Sequence, residues 1–381
     1  MLSERIEYHR QGMGKGIFMN KPRKSITQEE LNEIIERHQH YLKRDVPDWE
    51  DCRAFFPSDV NYEDMNFSYA DLTEVVFNHT WLVGADFSHA RLCGCKMNNV
   101  YADGTNFRSA DMQSATIDQG QFYLADFREA DLSRACLENF DQNVRGSHHC
   151  CFDQANLSLA RLGGNFSEAS FRRANLTEAN IDHADFTLCD FQNAALAHSV
   201  FEKTTVHGTY FRNTDLSFCT FQGCRIRNAS FKSADLHNTL FVDTSMNNID
   251  FTKANLTKAE LGECRWLNDC DFSLADLTDA DFCKGDLEDD LFLDCDFSDA
   301  KTDGMKLDLE RFCKPIGLPE GFGKTDIDTE EPTSNGTVPK EPFLGVDLRS
   351  TPSNGVNLWF TPGNECKTFV PSRDEEDLER G

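Results

Sequence analysis

Three groups of residues have types and spacings that could do chemistry. His148, His149, Cys150 and Cys151 are metal-ligand types, but a zinc site wants two such pairs separated by a loop, and here they form one run. Carboxylates crowd together, as in Glu288-Asp289-Asp290. General acid–base work would need a pocket that pushes the pKa of one carboxyl away from that of its neighbour. Gly12-Met13-Gly14-Lys15-Gly16 has the glycines of a phosphate loop. It lacks the closing Gly-Lys-Ser/Thr, and no strand pattern precedes it. No nucleophile–base arrangement is visible, so neither catalysis nor a metal or other cofactor is expected.

The elements that must carry these residues are set by composition and periodicity. The chain has 381 residues, 65 acidic against 38 basic, for a net charge of -27. That argues against direct binding to nucleic acid or anionic lipid, which need a basic surface. A disordered acidic chain would be poor in aromatics, yet Phe occurs 31 times. No apolar run approaches a membrane span. Fifteen Cys with no secretory leader read as reduced thiols of a cytoplasmic protein.

The charge is uneven. Residues 62–312 carry 41 acids and 21 bases, net -20. Within them, residues 269–300 hold 12 acids against one base, Lys284, net -11 in 32 residues.

The same stretch repeats with a period of five. Large apolar residues fall at Phe67, Leu72, Phe77, Leu82, Phe87 and Leu92, then every fifth residue to Leu162. A four-residue step leads to Phe166, and the new phase holds to Trp266; a six-residue step leads to Phe272 and on to Leu307. These make 49 units, with Phe at 21 centres and Leu at 16. Two residues before each centre the side chain is small, Ala or Cys most often, as at Ala70, Ala85, Cys189 and Cys219; the residue just before it is often Asp or Asn. Helices need a period of 3.6 and strands a period of two, so the chain must turn a corner every five residues.

These units resemble the pentapeptide repeat family, A(D/N)LXX. The resemblance implies an all-β fold, a right-handed quadrilateral parallel β-helix with four units per coil. The 49 units then make about 12 coils, about 60 Å long at sheet spacing. From 191 to 256 the centres alternate Phe with a non-aromatic residue. Phe191, Phe211, Phe231 and Phe251 should stack on one wall, and Phe201, Phe221 and Phe241 on the opposite one. No two small-position Cys fall on one wall in adjacent coils, so disulfides are not expected.

Four regions follow. Residues 1–24 form a basic, Gly-rich arm. Residues 25–61 hold a capping helix, opened by the capping box Thr27-Gln28-Glu29-Glu30. Leu31, Ile34, Ile35, His38 and Leu42 give it an apolar face, and Pro47 ends it. Residues 62–312 are the solenoid, and 313–381 a cap and polar tail. In the tail, Phe343-Leu344 and Leu358-Trp359-Phe360 could dock back on the rod. The repeat is weakest at 140–150, where Gln142 and Ser147 stand at centres and Phe140 and Arg145 at small positions. A loop there makes Arg145, His148 and His149 candidate functional residues.

The expected function is that of a non-catalytic rod binding a protein partner with a basic surface. The resemblance adds a sharper alternative. Some family members mimic a B-form duplex and occupy the DNA site of type II topoisomerases such as gyrase, inhibiting the enzyme or protecting it from quinolones or toxins. The candidate surface is Asp271, Asp276, Asp279, Asp281, Asp286, Glu288, Asp289 and Asp296. Family members of that kind dimerise through a helix after the last coil, whereas Pro315 and Pro319 break the segment found here. A third option that the resemblance brings is a secreted bacterial effector.

Overall fold

The structure is a computed structural model. It describes residues 24–140, 149–264 and 266–282, and beyond these 286–287, 292–293, 296–298, 300, 306–307 and 312–313. All of them belong to a compact unit, Met1–Lys324, distinct from Thr325–Gly381. The glycine-rich run at 12–16, Gln142, Arg145, Ser147, His148, Glu288, Asp289 and the two apolar patches of the tail lie outside the described residues.

The described chain is a parallel β-solenoid with one α-helix before it. Its strands pair in parallel, mostly at a step of twenty residues: Val76 with Lys96, Thr205 with Arg225, Phe221 with Phe241. Four walls result. Wall one carries a column of buried Phe from Phe67 to Phe272, wall two mostly Leu from Leu72 to Leu277. Wall three runs from Phe77 to Phe282, and wall four from Tyr62 to Leu267.

Most corners are β-turns in which the small residue donates its N–H to the carbonyl of the centre before it, as from Ala70 to Phe67 at 3.1 Å; those that follow short strands, as after Phe77 and Phe221, lack that bond. The residue ahead of it turns the chain with a left-handed φ, +59° at Tyr69 and +62° at Glu74. Such conformations are costly outside glycine. They are held because the residue before the centre is often an Asp or Asn whose side chain accepts the N–H two residues on, as Asp86 does from Ser88 at 2.9 Å. Where the small position holds a hydroxyl or thiol, that group also finds an acceptor. Thr209 Oγ1 donates to Phe186 O at 2.6 Å, and Cys219 Sγ to Leu196 O at 3.0 Å. The core therefore tolerates Thr, Ser and Cys beside Ala.

From 191 to 256 the aromatic columns lie as expected. Phe191, Phe211, Phe231 and Phe251 stack at centroid distances of 4.7 to 5.3 Å. Phe201, Phe221 and Phe241 stack at 4.4 and 5.0 Å on the opposite wall. Two expectations fail. Phe140 is not at a small position. It is fully buried on wall four, stacked between Phe122 at 4.9 Å and Phe166 at 4.6 Å. The coil below it is longer, so that Asp126 pairs with Cys151, a step of 25 residues. Five residues are thus extra to the coil, and a ring that fills the column outweighs the five-residue count. At the other break Leu267, not Trp266, takes the central place. It pairs with Met246 and is 5% exposed. The four-residue step between Leu162 and Phe166 is a register shift in the strand Arg161–Asn165.

The first coil is sealed by α1, Gln28–Lys43, whose capping box at Thr27 and Glu30 is formed. Leu31 and His38 are buried against the coil. Side chains replace the missing layer above: Gln28 Nε2 donates to Asn66 O at 2.8 Å, Gln39 Nε2 to Asp71 O at 3.2 Å and Arg53 to Glu74 O. His38 Nε2 meets Thr73 O at 3.1 Å, while Nδ1 accepts from Ala54 N at 3.2 Å. Burial lowers its pKa, against the hydrogen bond to Thr73, which raises it. Strand β1, Lys24–Ser25, adds one more layer by pairing with β2, Val60–Asn61. Open β-edges invite association, and this one is covered.

Candidate binding surfaces of the rod

The outward residues of each unit are the one before the centre and the two after it, so a surface is read column by column. On wall one the positions after the centres hold Arg108, Arg128, Arg172, Arg212 and Lys232. Several are tied to acids in neighbouring layers or the same turn: Arg108 to Glu129, Arg128 to Asp126 and Arg172 to Asp190. Burial pushes the Asp126 carboxyl up, but the hydrogen bonds from Arg128 outweigh it and hold the pKa below the usual range. Arg91 and Arg161 pair likewise with Asp71 and Glu138. Charge in this part of the rod is mixed, and these pairs match part of it.

The acidic stretch is different. Asp271 precedes the wall-one centre Phe272, Asp276 the wall-two centre Leu277, and Asp281 the wall-three centre Phe282. Asp286 holds the same position on wall four, where it pairs with Lys306. The acids do not converge on one wall; they encircle the rod. Each is backed by an acid one layer away on at least three walls: Asp250 beside Asp271, Asp296 beside Asp276 and Glu260 beside Asp281. Asp279 adds an exposed corner, with φ at +58°. The result is a collar, not a stripe.

These side chains also serve the fold. Asp271 accepts from Ser273 N at 2.9 Å, Asp276 from Thr278 N at 3.0 Å, and Asp296 from Ser298 N at 3.0 Å and Ser298 Oγ at 2.6 Å. Asp276 is exposed. Asp271 is half-buried, and its pKa is raised, by burial first and by Asp250 as well. The hydrogen bonds at Asp296 lower its pKa. Reversal to Lys would therefore break turns as well as change charge, which the sequence alone did not reveal. Asn keeps the acceptor and removes only the charge.

Of the candidate loop residues, His149 alone is described. It is exposed at the end of the long coil, with Nε2 3.1 Å from Glu168 and its ring 6.2 Å from Tyr123. Cys150 turns away from it into the core, where Sγ donates to Phe122 O at 2.9 Å. Among the described residues no cluster of His, Cys, Asp and Glu could hold a metal ion. The described cysteines are free thiols. Burial pushes Cys95, Cys219 and Cys264 up to about 12 and Cys224 up to about 11. They are core fillers rather than nucleophiles. Among the described residues no helix is long and apolar enough to cross a membrane.

The sequence reading missed one surface. On wall four, Trp81 and Val83 form a second apolar cluster outside the core, with Tyr101 and Leu124 packed against it. The Trp81 and Tyr101 rings stack at 5.0 Å. The signal was an aromatic at 81 and again at 101, one coil apart, both just before a centre.

Walls, corners and columns of this kind define a quadrilateral parallel β-helix. Family profiles agree with the geometry. The profile of pentapeptide repeats in eight copies matches residues 70–108, 85–120, 105–141 and 150–193, and that of the pentapeptide repeat region matches 196–268. The chain belongs to the pentapeptide repeat proteins. Among solved structures it is similar to HetL, a pentapeptide repeat protein involved in heterocyst differentiation regulation from the cyanobacterium Nostoc sp. strain PCC 7120. The two are 20% identical over 65% of this chain and 91% of HetL, with a TM-score of 0.19. It is also similar to full-length QnrB1, a plasmid-mediated fluoroquinolone resistance protein, at 18% identity over 57% of this chain and 91% of QnrB1, with a TM-score of 0.24. Rfr23 from the cyanobacterium Cyanothece 51142 is 15% identical over 38% of this chain and 64% of its own, with a TM-score of 0.13. These likenesses concern the fold alone. No curated protein sequence matches.

Proposed function

We propose that this chain is a non-catalytic binding rod whose acidic collar recognises a protein partner with a basic surface. One observation carries the reading. Asp271, Asp276 and Asp281 stand on three successive walls of one coil, backed by Asp250, Asp296 and Glu260. Residues 269–300 contain a single base. Elsewhere arginines pair with carboxylates of the same or neighbouring layers, whereas here acids outnumber bases by 12 to one.

A DNA-binding enzyme is the sharper form of that partner, and charge density supports it. At twenty residues per layer and about 4.8 Å per layer, residues 269–300 occupy about 8 Å of axis and carry one net negative charge per about 0.7 Å. A DNA duplex carries one per about 1.7 Å. Averaged over residues 62–312 the rod carries only one per about 3 Å. Negative charge at least as dense as that of a duplex is therefore concentrated at this end of the repeat.

The test replaces Asp271, Asp276 and Asp281 together by Asn. Inhibition of gyrase supercoiling, or protection from a fluoroquinolone, at micromolar wild-type protein and its loss in the triple variant would support the sharper form. Absence of any effect by the wild type retires it. The broader reading is then checked by affinity capture with both proteins. Partners lost from the triple variant support the collar, and an identical set retained by both overturns it.

A further inference from the structure

We propose that wall one between Tyr210 and Asp271 is a self-complementary face on which a second copy of this chain docks, antiparallel, each copy setting its bases against the other's acids. Two outward columns run side by side there. One holds Tyr210, Ser230, Asp250 and Asp271, bridged layer to layer. The other holds Arg212, Lys232, Thr252 and Ser273 at the same four levels. The bases thus fill the first two layers and the acids the last two, over about 14 Å of axis. Earlier in the base column Arg108, Arg128 and Arg172 are tied to Glu129, Asp126 and Asp190. Arg212 and Lys232 form no such ion pair among the described residues. The flank keeps the same order. On wall four Arg225 and Arg227 are exposed beside the first layers, and Asp269 is exposed beside the last.

A wall whose charge reverses along its length is complementary to itself. A twofold axis lying in the interface, perpendicular to the rod and midway between Lys232 and Thr252, brings the wall onto its own copy with the levels exchanged. Arg212 of each protomer comes level with the partner's Asp271, and Lys232 with the partner's Asp250. The base and acid columns are two residues apart on the strand, about 7 Å, within reach of long basic side chains. Leu274, 48% exposed at the corner of the Asp271 layer, also comes level with Arg212, whose aliphatic stem can cover it. In a parallel arrangement bases would lie level with bases and acids with acids. The net charge of -27 repels copies in general, so local opposite charges select this wall and this direction. Four layers of one wall are small for an interface, and the pairing is therefore reversible. The inference rests on the collar being a binding surface, and it names this chain as the partner of the collar's wall-one side.

The test is sedimentation velocity of the full chain over a concentration series. At about 0.15 M salt, where charges more than about 8 Å apart are screened, the wild-type sedimentation coefficient should climb from the monomer's toward a dimer's. At about 1 M salt it should stay at the monomer's. Arg212→Glu with Lys232→Glu should abolish the climb. Asp250→Asn with Asp271→Asn, which keeps the turn acceptors, should abolish it too. Mixed together, the two variants should associate again, because the bases of one meet the acids of the other. The far-ultraviolet circular dichroism of each should match wild type; if reversal perturbs it, Arg212→Gln with Lys232→Gln takes its place. A wild type that stays monomeric throughout overturns the proposal. So does association that survives about 1 M salt or the change at Arg212 and Lys232, and so does a mixture that stays monomeric. A monomeric wild type that still loses captured partners on Asp271→Asn with Asp276→Asn and Asp281→Asn removes only this proposal and leaves the collar reading standing. Self-association with an unchanged set of captured partners confines the collar's role to this pairing.

Discussion

Two stretches of one solenoid obey different arithmetic. From Phe191 to Leu256 each centre follows the last by five residues, and stacked pairs are twenty apart. From Leu137 to Ile181 the intervals between buried centres include three residues from Leu137 to Phe140 and four from Leu162 to Phe166, and coil steps of 25 and 19 residues occur, Leu137 to Leu162 and Leu162 to Ile181. Yet the four columns continue through both. Phe140 stacks between Phe122 and Phe166 as evenly as Phe221 does between Phe201 and Phe241. The rod conserves column occupancy, not residue number. A coil can take up extra residues provided that a ring of the right size fills the column and the parallel hydrogen bonds resume.

The largest effect should come from removing the rings that define the columns. Phe221→Ala and Phe140→Ala should each cost about 3–5 kcal/mol, read as a shift of the urea midpoint. A Phe140→Ala protein as stable as wild type would show that the irregular coil does not depend on its ring, and the equivalence of the two stretches would fail.

Glycine separates the stretches at the next level. Gly164 has φ at +96°, and an added Cβ would lie 2.4 Å from Phe140 O. Gly223, in the regular part, has φ at +63°, and its nearest neighbour to such an atom is the flexible Lys203 side chain at 3.6 Å. Gly164→Ala should therefore cost about 1–3 kcal/mol more than Gly223→Ala, which keeps only the left-handed penalty of about 1 kcal/mol. Equal thermal stability of the two variants would mean that the irregular strand relaxes freely.

The smallest expected effect lies in the hydroxyl ladder of the regular stretch. Thr209→Val removes the donor to Phe186 O and should cost about 1 kcal/mol. A neutral result would show that the ladder merely fills space.

Much of this was legible in the sequence because a single physical demand, one large and one small inward side chain per corner, recurs with little interference. The capping box at Thr27 and Glu30 and the opposed Phe columns were readable for that reason. Phe140 was not, because periodicity alone cannot tell a slipped unit from an inserted one; only its stacking partners can. Trp266 and Leu267 are both large and apolar, and the spacing could not choose between them. At the candidate surface, the run of Asp was visible, but its wrapping around the rod follows from four units making one turn. The turn-capping bonds of Asp271 and Asp276 depend on side-chain geometry. The Trp81 patch was missed because it breaks no repeat rule: the position before a centre tolerates any residue.

The seal made by Gln28, Gln39 and Arg53 on the first coil also fixes an order in time. In a growing polypeptide the helix is made before the layers that it covers, and each further layer needs only about twenty new residues to complete contacts with the one before it. A ribosome working at about 5–20 residues per second delivers that length in roughly 1–4 s, whereas short loops close in well under a millisecond. Assembly can therefore keep step with synthesis, each finished coil serving as the template for the next, and the growing edge is never more than one turn of unpaired backbone.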